Sequence, residues 1–263
     1  MLNATAEIRL PGTVVLVTGG SRGIGAGIAR TFLAAGAHVV VCARNAPAAE
    51  ALPADGSRRA QFLPCDVRNS EALERLVGTI RDGCGRLDVL INNAGGGPPG
   101  PLGDAPPRLI ERIIALNLTA PLLCAQAANR LMQQQQEGGV IINIGSVAGA
   151  RPAPGTVAYG AAKAGLLHAT ESLAMEWGPK VRVNAIVTGF VATENAAAHY
   201  GGAAGIARIG AMFPLQRLAE PADVAAACLY LASPLAGYVS GALLAVHGGG
   251  ERPLFVELAK GTP

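Results

Sequence analysis

The chain of 263 residues has few charged residues and no cluster of basic ones. Charged side chains make up 15% of the sequence, the formal net charge is only +3, and the arginines are scattered. Because proteins that bind nucleic acids carry a basic patch or tract, we expect no nucleic-acid partner. Half of the residues are hydrophobic, which argues against disorder and indicates a substantial packed core.

The chain also lacks the cysteine patterns of metal sites and disulfide frameworks. Its five cysteines are widely spaced, with no CxxC pair and no nearby group of histidines. Such cysteines are typical of small, reduced core residues in an intracellular protein, so we expect no metal. No secretory leader opens the sequence, and no apolar run reaches the length of a membrane span. We therefore predict a cytoplasmic protein without a membrane partner.

Short β-branched runs alternate with longer helical patterns along the chain. Strands that are apolar throughout and separated by helices indicate a parallel sheet covered on both faces. The predicted strands are 14–17, 38–43, 62–65, 89–92, 140–144, 181–186 and 242–246. The predicted helices are 24–35, 70–82, 107–136, 157–177 and 222–232. The predicted fold class is α/β, a doubly wound (Rossmann) domain with about seven parallel strands.

No linker and no repeat divides the sequence. We therefore predict one domain over 1–263, with 1–10 and 251–263 as terminal extensions. The glutamine run 133–136 is interpreted as the solvated end of a long helix. Residues 188–215 are rich in glycine and alanine and lack a clear strand, so we interpret them as a mobile lid.

The segment YGAAK places Tyr159 and Lys163 four residues apart, on the same face of a helix. A nearby ammonium lowers the pKa of a tyrosine, which makes the phenol a general acid or base near neutral pH. The chain has only four tyrosines and three lysines, so such a pair is uncommon by chance. The surrounding alanines and glycines indicate that the pair is buried, and a buried lysine is rare unless it has a function. The alternative is a chance pair on a solvated helix.

The sequence VTGGSRGIG, residues 17–25, lies between the first strand and the first helix. Glycines there permit a tight turn and a close approach of the backbone to a ligand. The unpaired N–H groups of the helix N-terminus suit a pyrophosphate, so a glycine-rich turn in this place predicts a dinucleotide site. The candidate cofactor-binding residues of the turn are Gly19, Ser21, Arg22, Gly23, Ile24 and Gly25.

The end of the second strand indicates which dinucleotide is bound. An acidic residue there would bind the ribose 2′-hydroxyl of NAD, but the sequence has Ala43 followed by Arg44. Arg44 and Arg22 can bind a 2′-phosphate through their guanidinium groups, so we predict NADP(H). The alternative is that both are ordinary surface arginines. Asp66, after the third strand, is either a partner of the adenine amino group or a cap of the following helix.

Together these motifs resemble the short-chain dehydrogenase/reductase family. The resemblance extends from about residue 11 to residue 250. It rests on TGGSRGIG, NNAG at 92–95, Asn117, Ser146, YGAAK and the C-terminal SGALLAVHGG, in that order. The stretch IINIGSVAG, followed by AYGAAKAGL, is most similar to the bacterial 3-oxoacyl-thioester reductase branch.

The resemblance implies a catalytic tetrad of Asn117, Ser146, Tyr159 and Lys163. Ser146 would stabilise charge on the substrate carbonyl oxygen, and Tyr159 would donate a proton as hydride arrives from the nicotinamide. Lys163 would lower the tyrosine pKa and bind the nicotinamide ribose. Asn117 would hold a water molecule of a proton relay. Taken singly, Asn117 could instead distort a helix and Ser146 could cap a strand end.

The resemblance also implies further contacts with the cofactor. The residues concerned are Asp66, Val67, Asn93, Ala94, Gly95, Tyr159, Lys163, Gly189, Val191 and Thr193. The NNAG turn could equally be purely structural. Thr188 stands where the family has proline and His247 where it has aspartate. Because threonine lacks the fixed φ of proline, we expect the loop after the sixth strand to be more mobile.

These observations predict an NADP(H)-dependent reductase of a small-molecule carbonyl substrate, such as a 3-oxoacyl thioester or another lipophilic ketone. Apolar residues of the lid segment 195–213 favour a lipophilic substrate, unless they pack against the domain. The alternatives are an NAD-preferring alcohol or steroid dehydrogenase and a dinucleotide-binding sensor without catalysis. The resemblance implies a homotetramer built on helices 107–136 and 157–177, whose alanine-rich faces could otherwise cover the sheet.

Overall fold

A computed structural model describes residues 8–251, apart from the side chain of His199. The strands are β1 Val14–Thr18, β2 His38–Ala43, β3 Ala54–Asp55, β4 Arg58–Arg59, β5 Gln61–Pro64, β6 Val89–Asn92, β7 Gly139–Ile144, β8 Val181–Thr188 and β9 Leu243–Val246. Seven of them form one parallel sheet in the order β5-β2-β1-β6-β7-β8-β9. Strands β3 and β4 form a separate antiparallel pair.

Helices cover both faces of the sheet. They are α1 Gly23–Ala34, α2 Ser70–Cys84, α3 Pro107–Ile114, α4 Ala120–Met132, α5 Val147–Ala150, α6 Val157–Trp177, α7 Ala196–Tyr200, α8 Gly202–Ala211 and α9 Pro221–Ala232. Helices α1 and α9 pack on one face, and α2 and α4 pack on the other. The predicted doubly wound α/β fold is confirmed.

Strand β1 shows why the strands are apolar without interruption. All five of its residues are buried. Val15 and Val17 belong to the core beneath α1 and α9, whereas Val14 and Leu16 belong to the core beneath α2 and α4. Because successive side chains of a strand point to opposite faces, a strand covered on both sides needs apolar residues at every position.

The glutamine run follows helix α4, which ends at Met132, so the helix is shorter than predicted. Gln134 and Gln136 are exposed, as the solvated interpretation expects, whereas Gln133 and Gln135 are half-buried and bond to the backbone. Gln135 accepts from the N–H of Leu87 at 2.8 Å and donates to the Leu87 carbonyl at 3.0 Å. Gln133 donates to the carbonyl of Trp177 at 3.0 Å. These bonds turn the chain away from the helix axis towards β7.

Helices α3 and α4 are joined by a π-helical turn, Ala115–Thr119. By length and composition alone, the continuous helix Pro107–Met132 could cross a membrane, although the sequence shows no uninterrupted apolar run of that length. A core helix of a soluble protein passes the same test. Residues of α4 such as Cys124 and Ala128 are buried against the sheet. The absence of a membrane partner therefore stays a prediction.

Two short helices, α7 and α8, lie in the segment interpreted as a lid. Phe190 contacts the rings of Tyr200 and Phe213, with ring centres 5.6 and 5.8 Å apart. Phe213 is 2% exposed, whereas Met212 is 49% exposed. For Phe213 the alternative interpretation is therefore right, since its side chain packs against the domain.

A buried chain of amides joins the sheet to α4 and α6. Asn92 donates to the Asn143 side chain at 2.9 Å and to the Pro121 carbonyl at 3.0 Å. Asn143 donates to the Thr170 hydroxyl at 3.0 Å, which donates to the Leu166 carbonyl. The amide nitrogens of this chain are bonded, whereas the buried Oδ1 of Asn92 has no hydrogen-bond partner among the described residues, and bonded networks of this kind favour one packing. The network therefore connects β7 to α6, the two elements that position Ser146 and Tyr159.

Most of the predicted terminal extensions, 1–10 and 251–263, lies outside the described residues. Leu10, at the end of the first extension, is buried in the core. Glu251, at the start of the second, forms an ion pair with Arg151.

Candidate active site

A cavity of about 950 Å³ lies along the carboxyl ends of the strands. This is where doubly wound domains bind their ligands. The structure brings most predicted site residues to its wall: Gly19, Ser21, Arg22, Gly23, Ile24, Arg44, Asp66, Val67, Asn93, Ala94, Gly95, Tyr159, Lys163 and Thr193. The predicted residues that do not line it are Gly25, Asn117, Ser146, Gly189 and Val191.

The turn after β1 is too tightly packed for side chains. Gly19 has a φ of +64°, and a Cβ on Gly25 would lie 2.4 Å from the Gly19 oxygen. Asn93 donates to the carbonyls of Thr18 and Gly19 at 2.9 and 3.1 Å. Asn93 therefore holds the turn in shape while its own backbone reaches the cavity. Gly25 acts through close packing behind the turn, which explains why it does not face the cavity.

The N-terminus of α1 holds an anionic group. The N–H of Gly23 donates to both carboxylate oxygens of Glu194, at 3.1 and 3.3 Å. The cap residue Arg22 makes no side-chain capping bond, and the first turn of the helix has no acidic residue. A carboxylate from a distant loop therefore binds the positive end of this helix. The pyrophosphate of a dinucleotide fits the same N–H.

Four arginines line the cavity, and three of them, Arg22, Arg44 and Arg68, follow the first three strands of the main sheet in chain order. Arg22 and Arg44 are exposed and line it together with Arg68. Arg68 binds Asp66 through two hydrogen bonds, at 3.0 and 2.6 Å. These bonds are the main cause that lowers the pKa of Asp66 to about 2, and the charge of Arg44 adds to the effect. Helix α2 is capped by Asn69, so Asp66 is not a helix cap.

Lys163 is buried beneath the cavity. Its side chain is 4% exposed, and its Nζ donates to the carbonyl of Ile144 at 2.7 Å. Burial lowers its pKa to about 8, because the ammonium loses its hydration. The Nζ lies 5.8 Å from the centre of the Tyr159 ring. The predicted burial of this lysine is confirmed.

Tyr159 has a raised pKa in this structure. Burial of the phenol is the largest cause, and the charge of Tyr200 raises the pKa further, while a hydrogen bond with Ser146 lowers it. Burial therefore outweighs any effect of the Lys163 ammonium, and the pKa of Tyr159 is raised, not lowered as expected. At neutral pH the phenol is protonated and can donate a hydrogen bond or a proton. Tyr200 was not recognised as a site residue from sequence.

Asn117 lies in the π turn and is fully buried. Its Nδ2 donates to the carbonyls of Gly96 and Ile113, both at 2.9 Å, and its Oδ1 accepts from the N–H of Gly96. A Cβ on Gly95 would lie 2.8 Å from this Oδ1 and 3.4 Å from the Nζ of Lys163. Both amide hydrogens are used, so a relay water would have to bind at an oxygen of Asn117. π turns of this kind are frequent at functional sites.

Ser146 lies two residues beyond the end of β7 and is the N-cap residue of α5. Its Oγ accepts from the N–H of Ala148 at 3.2 Å, so it caps a helix and not the strand end that the alternative named. The same side chain bonds to Tyr159. Ser146 therefore has two roles: it caps helix α5, and it bonds to Tyr159, the candidate proton donor.

Because Thr188 replaces the proline of the family, we expected a more mobile loop after β8. In the structure, the start of this loop is held by hydrogen bonds and close packing. Thr188 belongs to β8, pairs with Val246, and donates from its hydroxyl to the Gly145 carbonyl at 2.9 Å. Gly189 packs against His247, where a Cβ would come within 2.9 Å of the histidine Cβ. Gly189 is therefore needed for close packing and does not reach the cavity.

Val191 lies behind the cavity wall, so its predicted contact with the cofactor stays a prediction. Its side chain is 6% exposed and belongs to the core beneath α1 and α9. Its backbone forms a bridge with Ala219. Thr193, two residues later, does line the cavity, together with Glu194. Arg68 and Glu194 also line the cavity but were not predicted from the sequence. The only feature that could have indicated them is their position one or two residues from predicted site residues.

Glu194 competes with any other anion for the N–H of Gly23. We expect Glu194→Gln to bind a nicotinamide dinucleotide about two- to fivefold more tightly, because a carboxylate no longer occupies the helix N-terminus. Titration calorimetry measures the change. Glu71→Gln, on the exposed side of α2, is the matched control and should bind like the wild type. Unchanged or weaker binding by Glu194→Gln contradicts the expectation.

The buried Lys163 makes stability depend on pH. Its pKa is about 8 in the folded protein and 10.5 as the ordinary value, so the unfolded state binds more protons between these limits. The free energy of unfolding should therefore rise with pH in this window, by roughly 3 kcal/mol relative to Lys163→Met. Urea unfolding at a series of pH values measures this. Lys180→Met, at an exposed lysine, should show no such difference from the wild type.

Comparisons with known proteins agree with this geometry. A family model described as enoyl-(acyl carrier protein) reductase matches residues 19–251. A 3-oxoacyl-[acyl-carrier-protein] reductase from Synechocystis is 38% identical, over 91% of this chain and 97% of that protein. A D-threitol dehydrogenase from Mycolicibacterium smegmatis is 35% identical, over 94% of this chain and 96% of that protein.

A solved structure has the same fold. It is a proposed short-chain alcohol dehydrogenase from Sinorhizobium meliloti 1021, with a TM-score of 0.85 and 37% identity. The match covers 92% of this chain and 98% of that one. Sequence and structure thus agree over nearly the whole chain. The protein belongs to the short-chain dehydrogenase/reductase family, oxidoreductases that use nicotinamide dinucleotides.

Proposed function

We propose that the protein is an NADP(H)-dependent carbonyl reductase that works mainly from ketone to alcohol. The observation that carries this proposal is the place of Tyr159 at the wall of the dinucleotide cavity, with the buried Lys163 ammonium 5.8 Å from the centre of its ring. A phenol that is protonated at neutral pH is the proton donor that a carbonyl oxygen needs as it becomes a hydroxyl. The bound dinucleotide supplies the hydride.

The remaining tetrad residues assist this proton transfer. The Ser146 hydroxyl, which is bonded to the phenol, holds the substrate oxygen and stabilises the charge that develops on it. The Lys163 ammonium, charged below a pH of about 8, supplies positive charge beneath the phenol. Asn117 positions the loop at Gly95 and Gly96 against that ammonium.

The preference for NADP(H) is supported by charge at one end of the cavity. Arg22 and Arg44 line it, and Ala43 stands where an acidic residue would bind the ribose of NAD. The alternative is an NAD-preferring alcohol dehydrogenase. Dissociation constants of NADPH and NADH, measured for the wild type and Arg44→Ala, distinguish the two. If Arg44 binds the 2′-phosphate, the substitution weakens the binding of NADPH more than that of NADH.

The proposed substrate is a 3-oxoacyl thioester or another lipophilic ketone. The cavity wall beyond the glycine turn includes Leu109, Ile113 and Leu116, which form an apolar surface on α3 and the π turn. Phe213 packs against the domain, so the lipophilic contacts come from α3 instead of that side chain. Similarity to a protein named as a 3-oxoacyl-[acyl-carrier-protein] reductase supports the same substrate class.

Replacement of Tyr159 by phenylalanine tests the reaction. With NADPH and a panel of acetoacetyl thioesters, apolar ketones and polyol-derived ketones, we expect Tyr159→Phe to lower kcat about 10²- to 10⁴-fold. Its affinity for NADPH, from cofactor fluorescence, should stay unchanged. Tyr238→Phe, at a fully exposed tyrosine, is the control and should react like the wild type.

Other outcomes of that assay point to other functions. A Tyr159→Phe variant as active as the wild type would show that the proton donor is misassigned. Binding of NADPH without turnover of any ketone would favour a dinucleotide-binding sensor.

We also propose a homotetramer. Large apolar side chains are exposed on the outer side of α6, at Met175, and beside the edge strand β9, at Leu235 and Tyr238. An exposed sheet edge with apolar neighbours is suited to pairing with another chain. Light scattering in solution should give four times the mass of one chain. A monomeric mass would contradict the proposal.

A further inference from the structure

Arg68 lines the dinucleotide cavity but has no part in the chemistry proposed for it. Its guanidinium binds Asp66 in a two-pronged arrangement, with Nε 3.0 Å from Oδ1 and Nη2 2.6 Å from Oδ2. The backbone N–H of Arg68 adds a third bond to Oδ1 at 3.1 Å. This fixed fork holds the carboxylate in one orientation beside the cavity.

Stability does not explain this ion pair. The side chains of Arg68 and Asp66 are 31% and 36% exposed. Pairs of that exposure contribute about 0–1 kcal/mol to the free energy of unfolding. Helix α2, which follows, is capped by the side chain of Asn69, and only the backbone carbonyl of Asp66, which accepts from the Asn69 N–H, takes part in that turn. The pair therefore contributes little to the free energy of unfolding, and its position at the cavity wall points to a role in ligand binding.

Charge at this end of the cavity depends on Arg68. Arg22, Arg44 and Arg68 are positive, and Asp66, which also lines the cavity, is ionised at neutral pH. The four side chains sum to a charge of +2, and without Arg68 the sum falls to +1. A phosphate monoester carries about −1.5 to −2 at pH 7, so it matches the full set.

We propose that Arg68 determines the selectivity for NADP(H) over NAD(H) by holding and neutralising the Asp66 carboxylate. With that charge compensated, the Asp66 carboxylate does not oppose the binding of a 2′-phosphate by Arg22 and Arg44. Arg68 is a positioning residue, since it acts through Asp66. The inference rests on the proposed use of NADP(H).

A double-mutant cycle tests the proposal through binding alone. Dissociation constants of NADPH and NADH are measured by calorimetry for the wild type, Arg68→Gln, Asp66→Asn and the double variant. Any contact of Asp66 with the adenine is common to both cofactors and cancels in the ratio of the two constants. Arg68→Gln should weaken NADPH about tenfold and change NADH by less than about twofold, as expected for one uncompensated charge near a phosphate.

The double variant separates charge from structure. Removing Asp66 together with Arg68 restores the sum of +2, so the selectivity should return to that of the wild type. Asp66→Asn alone should be at least as selective as the wild type. Arg81→Gln is the matched control, because Arg81 forms an exposed pair with Asp82 outside the cavity wall. All variants should unfold at the wild-type temperature within about 2 °C.

Each contrary result has a distinct meaning. If Arg68→Gln weakens NADPH and NADH equally, Arg68 only shapes the loop and the proposal is wrong. It is also wrong if the double variant stays as unselective as Arg68→Gln. A wild type that binds NADH as tightly as NADPH would overturn the proposed cofactor itself, whereas a preference for NADPH that survives in Arg68→Gln overturns the role of Arg68 alone.

Discussion

The hydrogen bond from the buried Lys163 ammonium to the Ile144 carbonyl, 2.7 Å long, joins helix α6 to the end of strand β7. A buried charge is costly unless it is bonded, so this contact determines how deep α6 lies on the sheet. Tyr159 is one turn earlier on the same helix, and Ser146 is two residues beyond Ile144. Gly149 permits the approach, since a Cβ there would lie 2.7 Å from the Lys163 backbone. The buried Lys163 ammonium therefore helps to bring the proton donor Tyr159 close to Ser146.

Burial also sets the electrostatics of the site. It lowers the pKa of Lys163 and raises that of Tyr159, so both effects favour the uncharged forms. A neutral phenol beside Ser146 is suited to giving a proton to a carbonyl, which is why we propose reduction as the main direction. In the cofactor-binding region the arrangement is opposite: exposed arginines keep their charge, and Asp66 is held ionised by Arg68.

Much of this arrangement could be predicted from sequence, because a parallel sheet brings the ends of its strands to one edge. The motifs after β1, β2, β6 and β7 therefore had to meet. Two contacts could not be predicted: Glu194 reaches Gly23 across 171 positions, and the side chain of Arg68 turns back on Asp66 two residues earlier, a conformation that the sequence does not specify. The i, i+4 spacing placed the phenol and ammonium on one face, but it carries no measure of burial, so the direction of the tyrosine pKa was wrong.

The protonation state of Tyr159 tests the account most directly. Tyrosine labelled with ¹³C at the hydroxyl-bearing carbon reports each phenol by NMR, and Tyr159→Phe assigns the signal among the four tyrosines. In the protein without cofactor, the account predicts that Tyr159 titrates above the ordinary tyrosine pKa of about 10. A Tyr159 signal that titrates near neutral pH would contradict it, because burial would then not control the protonation of this phenol.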